Sequence, residues 1–246
     1  RREHSFDGVE ITNITKDLAC FGIMGPKSRA ILQSLTSTDL SHAAFSFMSS
    51  QEITVGDIKV RATRLTYVGE LGWELYVPVE NGLELWEKIM AAGKAQGIKA
   101  CGYRAIESLR LEKGYRAWAG EINTETNPYE AGLGFAVSLK KEKFHGKDAA
   151  IAAQSNLSRK LVAITFDDIT CVPFGSEPIR IGSKIVGRIK SGGQGYTIKK
   201  AIAYAYLPIA QTEVGTKVDV ELFGTWRSGV ICAEPLFDPS NERIRL

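Results

Sequence analysis

The segment Thr66-Tyr-Val-Gly-Glu-Leu-Gly-Trp-Glu-Leu-Tyr-Val-Pro78 gives the clearest prediction of local structure in this chain. Two apolar runs lie on either side of Gly69-Glu-Leu-Gly72, a pattern typical of a short β-hairpin turn. The apolar positions of the return strand alternate, at Trp73, Leu75, Val77 and Val79. Glu74 is therefore predicted to point away from the apolar side.

Glu74 and Tyr67 form a candidate binding site on this hairpin. A carboxylate and an aromatic ring near one turn suit a flat heterocycle whose N–H groups donate hydrogen bonds. On composition alone, the simpler interpretation of Glu74 is a strand glutamate that faces solvent. Both interpretations stay open at this point.

Composition excludes several classes of function. The 246 residues carry a net charge of only +3, which is too small to predict binding to nucleic acid or to an anionic membrane. No apolar run is long enough to span a bilayer, and no secretory signal opens the chain. Because the chain begins Arg1-Arg-Glu-His4, without methionine, we expect a fragment or a processed product.

Cysteines and histidines predict no metal site. None of them has metal-ligand spacing, and the cysteines are expected to be reduced thiols in a reducing compartment. These residues are Cys20, Cys101, Cys171 and Cys232, with His4, His42 and His145.

The first half of the chain alternates strand and helix patterns. Strands are predicted over 9–24 and 51–79, and a helix from Gly25-Pro26. Asn81 with Glu84 resembles a capping box for a helix that buries Trp86, Ile89, Met90 and Gly93. Another helix is predicted over 104–113, with Gly114 as its left-handed stop.

The second half is rich in strands. They are predicted at 161–166, 184–190, 201–207, 217–223 and 229–234, with a spacing typical of an antiparallel barrel or sandwich. Gly192-Gly-Gln-Gly195 lacks the context of a phosphate-binding turn and is predicted to be a hairpin or loop. A polar linker near 150–157 separates two predicted domains, 1–155 and 156–246.

The sequence gives less support for a functional role of the other polar and aromatic residues. Glu107, Arg110 and Glu112 are most simply surface charges on a helix, with i,i+3 pairing. Tyr115, just after the helix stop, either closes over a ligand or packs. Ser108 and Ser191 have no neighbouring histidine or nucleophile-elbow motif, so a catalytic triad has no support.

Several segments, taken in order, resemble the folate-binding aminomethyltransferase family of the glycine cleavage T-protein type. They cover nearly the whole chain: Ile23-Met-Gly-Pro-Lys-Ser28, Tyr67-Val-Gly-Glu-Leu-Gly-Trp-Glu74, Leu109-Arg-Leu-Glu-Lys-Gly114, Asn127-Pro-Tyr-Glu-Ala-Gly-Leu-Gly-Phe135 and Phe144-His-Gly-Lys-Asp-Ala149. The resemblance implies an α+β fold, with ferredoxin-like α/β layers followed by a C-terminal antiparallel β-barrel.

Two stretches resemble the C-terminal, folate-binding part of dimethylglycine and sarcosine dehydrogenases or oxidases more than the free T-protein. They are Glu112-Lys-Gly-Tyr-Arg-Ala-Trp118 and Ala233-Glu-Pro-Leu-Phe-Asp-Pro-Ser-Asn-Glu-Arg-Ile-Arg245. In those flavoproteins an upstream FAD domain oxidises an N-methyl amine. The T-protein-like part then captures the one-carbon unit on tetrahydrofolate, as 5,10-methylenetetrahydrofolate.

The resemblance implies that Glu74 grips the pterin ring and that Tyr67 and Tyr115 are further folate contacts. It also contains departures. Ile106 occupies a position where the T-protein pattern has arginine, and Arg104 lies about 200° around the helix from it. The family's acidic residue, thought to activate the cofactor amine, belongs to a segment upstream of residue 1, so no catalytic residue is assigned.

The leading hypothesis is therefore a folate-dependent aminomethyltransferase-type domain of an amine-demethylating oxidoreductase. On its own it is expected to bind folate weakly or not at all, without turnover, and FAD is expected only on an upstream domain. The alternatives are a stand-alone T-protein and a non-catalytic regulatory homologue. The expected location is cytoplasmic, or the mitochondrial matrix in a eukaryote, with possible dimerisation or association with an upstream domain.

Overall fold

A computed structural model describes residues 8–246, which divide into two compact units. The first comprises the described residues up to Thr66, together with Glu70–Ala100 and Arg243–Leu246. The second comprises Tyr67–Gly69 and Cys101–Glu242. The domain boundary that we predicted after residue 155 stays a prediction.

The first unit is a four-stranded antiparallel sheet with two helices. Its strands are β1 (Leu18–Met24), β2 (Ser50–Val55), β3 (Ile58–Thr63) and β4 (Gly72–Pro78), in the spatial order β1-β4-β3-β2. The helices are α1 (Ser28–Gln33) and α2 (Gly82–Gly93). Residues 9–17, predicted as strand, lie outside β1, and α1 begins two residues after Pro26.

One face of this sheet carries the core of the first unit. Trp73, Leu75 and Val77 are completely buried, together with Leu85 of α2 and Leu32 of α1. The intervening Glu74 and Tyr76 are only half-buried, which confirms the predicted alternation. Val79 was wrongly included in it, because the chain leaves β4 at Pro78 for a 3₁₀ turn and leaves Val79 exposed.

The predicted hairpin exists, but its turn is longer than the sequence indicated. The antiparallel pairing of β3 with β4 ends at Thr63 and Glu74, and residues 64–71 connect the two strands. Tyr67 therefore lies in a loop and not in a strand. Gly69 has a φ of +74°, a conformation in which glycine avoids the strain of a side chain.

The start of α2 also differs from the prediction. Asn81 has helical backbone angles at the end of the 3₁₀ turn, and its side chain makes no capping hydrogen bond. The helix therefore continues from the turn without a capping box. Its buried positions are Gly82, Leu85, Ile89 and Gly93. Of the predicted buried residues, Trp86 is 38% exposed and Met90 is half-buried.

The second unit contains α3 (Tyr103–Lys113) and α4 (Lys147–Ser155), and the short α5 (Glu242–Arg245) begins at its end. The predicted helix over 104–113 is confirmed, as is its stop, because Gly114 has left-handed angles with a φ of 74°. The predicted linker near 150–157 was wrong for most of its length. Its alanines, strong helix formers, continue α4 to Ser155.

A closed antiparallel barrel forms the rest of the second unit. Its spatial order is β10-β5-β8-β7-β6-β9. The strands are β5 (Arg159–Phe166), β6 (Pro178–Ile181), β7 (Lys184–Gly195), β8 (Lys200–Pro208), β9 (Lys217–Leu222) and β10 (Thr225–Cys232). All five predicted strands are present, and the four-residue β6 is additional.

Helix α3 packs against the outside of this barrel. Leu111 is completely buried in a cluster with Ile202, Tyr204 and Tyr206 of β8. A Cβ atom at Gly193 would lie 2.7 Å from a methyl carbon of Leu111, so the glycine permits this close approach. Residues 192–195 form the end of β7 and pair with the start of β8, which confirms the prediction of a barrel hairpin.

Within residues 8–246, every helix is too short or too polar to cross a membrane. Over the same residues, histidine, cysteine and acidic side chains do not gather into a cluster of three that would hold a metal ion.

Candidate functional site

The turn after α3 begins the candidate site in the second unit. The amide of Tyr115 donates to the carbonyl of Arg110 at 2.9 Å, and the amide of Gly114 donates to that of Leu111 at 3.2 Å. These bonds close the helix end around the left-handed glycine. The direction in which Tyr115 leaves the helix is therefore fixed by backbone hydrogen bonds.

Tyr115 and Tyr67 form a stacked aromatic pair. Their ring centroids are 6.0 Å apart, and the ring planes differ by 12°. The Tyr67 hydroxyl donates to the backbone carbonyl of Arg116 at 2.9 Å, which holds this ring next to the turn. Two residues separated by 48 positions in the sequence thus share one half-buried aromatic surface.

Both rings are neutral at physiological pH. Burial raises the pKa of the Tyr67 phenol. Burial also raises the pKa of Tyr115, and the negative charge of Asp238 raises it further. The pair is therefore an uncharged, flat surface of the kind on which a heterocyclic ring stacks.

A buried ion pair lies beneath the turn. Arg110 donates through Nη1 to Glu121 Oε1 at 2.6 Å and to the Tyr115 carbonyl at 3.1 Å. Glu121 also accepts from the Ala117 amide at 2.7 Å and from the Ser191 hydroxyl. Because both charged side chains are almost completely buried, these bonds compensate for their loss of hydration.

The charges of this pair are retained in the fold. Burial alone raises the pKa of Glu121, but Arg110 and the hydrogen bonds from Ser191 and Ala117 outweigh it and lower the pKa. Burial likewise opposes the charge of Arg110, whereas Glu107 and Glu121 raise its pKa overall. Glu121 is an ionised structural carboxylate.

The three α3 charges predicted to lie on the surface behave differently. The i,i+3 pairing of Glu107 with Arg110 is present, but Arg110 and Glu112 are buried. Glu112 Oε1 accepts the amides of Thr197 and Ile198 at 2.7 and 3.0 Å. The prediction of surface charges was wrong for Arg110 and Glu112 because the barrel covers that face of α3.

Glu74, the third predicted binding residue, lies on β4 in the first unit. The Tyr76 hydroxyl donates to Glu74 Oε2 at 2.6 Å, and both side chains share the face of β4 opposite the core. This hydrogen bond raises the pKa of Tyr76, and its burial raises it further. Tyr76 therefore remains protonated and keeps donating to the carboxylate.

Cys20 lies opposite Tyr76 in the β1–β4 register. Burial raises the pKa of its thiol, and the negative charge of Glu74 adds to this effect. A thiol whose pKa is raised is a poor nucleophile at neutral pH. Cys20, which is exposed, is a neighbour of the carboxylate on the same sheet face.

The structure brings together Tyr67 and Tyr115, two of the three predicted binding residues. Glu74 belongs to the other compact unit. Ile106 is half-buried in the first turn of α3, so an apolar side chain occupies the position where the family pattern carries arginine. Sequence reasoning missed Glu121, whose only local signal is its position in the turn-rich segment after α3.

Two domain families match the chain. Residues 1–141 match the GCVT N-terminal domain, and residues 159–238 match the glycine cleavage T-protein C-terminal barrel domain. The chain belongs to the glycine cleavage T-protein family. This confirms the resemblance drawn from the ordered motifs.

Relatives of two kinds are similar to this family member. Mouse mitochondrial dimethylglycine dehydrogenase is 44% identical over 97% of the chain, and mouse mitochondrial sarcosine dehydrogenase is 36% identical over 96%. The chain spans only 28% and 27% of those two proteins. The aminomethyltransferase of Geobacillus sp. (strain WCH70) is 36% identical over 95% of the chain, which spans 64% of that protein.

A solved structure confirms the fold class. The glycine cleavage system aminomethyltransferase T from Bartonella henselae superposes with a TM-score of 0.80 and 26% sequence identity. The match covers 90% of this chain and 60% of that one. The α+β architecture with a C-terminal antiparallel barrel, expected from the resemblance, is therefore that of the T-protein family.

Proposed function

We propose that this chain binds tetrahydrofolate and serves as the folate-dependent, one-carbon-transferring part of a dimethylglycine- or sarcosine-type oxidoreductase. The stacked Tyr67–Tyr115 pair is the observation that carries this proposal. Both residues occupy motif positions that the family resemblance assigns to the folate site. Family membership and the similarity to the two dehydrogenases support the same function.

The residues of the chain fit the chemistry of a reduced pterin. Tyr67 and Tyr115 offer a neutral aromatic surface for stacking. Within residues 8–246, Glu74 accepts one hydrogen bond, from Tyr76, which engages Oε2 and leaves Oε1 for a ligand N–H donor. A carboxylate that receives N–H donors of a heterocycle makes charge-assisted hydrogen bonds, which are the stronger class.

Tetrahydrofolate, when bound, would supply the amine nitrogens that take up a one-carbon unit at the formaldehyde level, as 5,10-methylenetetrahydrofolate. The roles proposed for this chain are binding and orientation: Glu74 holds the donor edge, and the tyrosines hold the ring and exclude water. No residue is assigned to proton transfer. Flavin chemistry is assigned to a domain outside these residues.

A second candidate function is that of a stand-alone aminomethyltransferase. It is supported by the Geobacillus aminomethyltransferase, which is 36% identical over 95% of this chain. An assay that supplies an aminomethyl group on a lipoyl carrier tests this function directly. Release of ammonia in the presence of tetrahydrofolate would favour a stand-alone aminomethyltransferase over the folate-dependent part of an oxidoreductase.

The compartment and the binding partners of the chain are part of the same proposal. The named mitochondrial relatives support the mitochondrial matrix if the source is a eukaryote, and otherwise the cytoplasm. The proposed partners are tetrahydrofolate and a one-carbon unit derived from a methylated amine. Dimerisation, or association with an upstream flavin domain, belongs to the proposal as well.

Saturation-transfer NMR with tetrahydrofolate under anaerobic conditions tests the proposed binding, because the method registers weak ligands. We expect transfer to the pterin protons of the ligand with the unaltered chain. In Glu74→Gln and Tyr115→Ala the affinity is expected to fall about tenfold, since each loses roughly 1.4 kcal/mol of contact energy.

Glu52→Gln is the matched control. Glu52 is a sheet carboxylate of the same unit, in an exposed ion pair with Arg61 at 2.9 Å, so its loss is expected to leave binding unchanged. Equal transfer in all variants would contradict the assigned site. Absence of transfer with the unaltered chain would contradict folate binding by it and would favour the non-catalytic homologue.

A further inference from the structure

The two stretches that resemble the dehydrogenases contact each other in the second unit. The Phe237 amide donates to the Glu112 carbonyl at 2.9 Å. Lys113 pairs with Asp238 at 2.9 Å, and Arg116 pairs with Glu234 at 2.6 Å. We name residues 234–238 the strap. Segments separated by more than a hundred residues thus form one ion-paired structure.

The first ion pair is deeply buried. The side chains of Lys113 and Asp238 are only 1% and 7% exposed. Lys113 Nζ also donates to the Asp238 carbonyl at 2.6 Å. Its aliphatic stem packs on Gly69, where an added Cβ would lie 2.9 Å from the stem carbons. Lys113 therefore connects the strap to the loop that carries Tyr67.

The second ion pair also reaches the aromatic pair. Arg116 holds Glu234 through Nη2, and its backbone carbonyl accepts the Tyr67 hydroxyl. Its Nε donates to the Ala131 carbonyl at 3.0 Å, and its guanidinium lies over the Tyr204 ring. Arg116 is consequently fixed on several sides, and Tyr67 is bound to it.

Tyr115 lies between the two cations in the sequence. Lys113 precedes it by two residues and Arg116 follows it by one, and the anionic partner of each cation comes from the strap. Both ion pairs therefore join the strap to the backbone next to Tyr115.

We propose that Glu234 and Asp238 are positioning residues, which act through Arg116 and Lys113 to hold Tyr67 and Tyr115 in the stacked geometry that binds the ligand ring. The claim that this ring geometry contributes to folate binding rests on the proposed function. Its restraint by the strap is a property of the chain itself and is tested separately.

Hydrogen exchange followed by mass spectrometry measures the restraint without a ligand. In Glu234→Gln and in Asp238→Asn, which remove one charge at nearly constant shape, we expect exchange in peptides covering 65–69 and 114–122 to accelerate at least about fivefold. Peptides of β8 are expected to keep their protection. Asp167→Asn is the control, because it removes the partner of Lys200 from an exposed pair of similar length, 2.8 Å.

Tetrahydrofolate affinity supplies the second measurement. Each strap variant is expected to weaken binding about fivefold in the unaltered background and to have no further effect in Tyr115→Ala, because residues that act as one unit are not additive. Equal losses in both backgrounds would overturn the positioning role. So would faster exchange spread over the whole second unit, or unchanged exchange at 65–69 and 114–122.

The two proposals fail in different ways. If the unaltered chain binds no tetrahydrofolate while the exchange of the two peptides responds to the strap variants, the proposed function is wrong and the restraint is real. If binding is intact and the exchange does not respond, the strap is not a positioning element.

Discussion

Two carboxylates, one in each compact unit, differ in how their charges are compensated. Glu121 is completely buried and accepts hydrogen bonds from Arg110, Ala117 and Ser191. Glu74 is half-buried on the sheet face opposite the core and, among the residues that the structure describes, accepts one hydrogen bond, from Tyr76. The first has its acceptor capacity used within the fold, whereas the second retains capacity for a ligand.

This difference separates a structural carboxylate, Glu121, from the carboxylate proposed to bind the ligand, Glu74. An ionised side chain without hydration is stable in a fold only when paired and hydrogen-bonded, so Glu121 and its partners stabilise the turn after α3. A carboxylate that keeps solvent contact needs no such network. Its remaining acceptor is available to a donor from outside the chain.

The largest effect is expected from Glu121→Ala. Its loss leaves Arg110 buried with only the Glu107 carboxylate, and removing one member of a buried pair costs about 3–5 kcal/mol of unfolding free energy. Urea unfolding of the full chain measures this loss.

Glu74→Ala is the counterpart on the sheet face opposite the core, and we expect its unfolding free energy to change by less than about 1 kcal/mol. Similar losses in the two variants would refute the distinction between a structural and a binding carboxylate.

The loss of folding stability in acid is also expected to depend on Glu121. Its pKa lies below the ordinary value of 4.5 because Arg110 and two hydrogen-bond donors outweigh burial, so its contribution is fully present above pH 4.5. It is lost as the pH falls through the lowered pKa, where the folded protein takes up the proton.

Urea unfolding from pH 7 to the acid limit of solubility measures this dependence. The unaltered chain should lose stability more steeply in acid than Glu121→Gln, which has no carboxylate to protonate there. Parallel curves for the two proteins would show that the pairing of Glu121 with Arg110 contributes no pH-dependent stability.

Local patterns predicted much of the fold. The stop at Gly114 follows from a helical run that ends at glycine, and the main barrel strands follow from alternation between turn residues. Helix α4 was missed because its polar end was interpreted as a linker, although its alanines favour a helix.

The predicted site was incomplete because its supports come from distant parts of the sequence. Ordered family motifs indicated Tyr67, Glu74 and Tyr115, but the burial of Arg110 depends on α3 packing against a barrel formed far along the chain. Similarly, the pairing of Lys113 with Asp238 joins residues 125 positions apart. Helical periodicity contains no information about either contact.

The smallest effect is expected from Tyr76→Phe, which removes the hydrogen bond that Tyr76 donates to Glu74. Without it the Glu74 side chain regains rotamer freedom that a bound ligand must again restrict, at about 0.5–1 kcal/mol, or roughly threefold in tetrahydrofolate affinity. Ligand-observed NMR titrations measure this change.

Tyr196→Phe provides the matched control for this prediction. The Tyr196 hydroxyl also makes one side-chain hydrogen bond, to Gln194 Oε1, but on the barrel. It should leave the affinity unaltered, and an equal loss in both variants would indicate a general effect of removing a hydroxyl. If Tyr76→Phe binds as tightly as the unaltered chain, Glu74 does not depend on Tyr76 for its orientation, and this sheet face needs no internal donor to present its carboxylate.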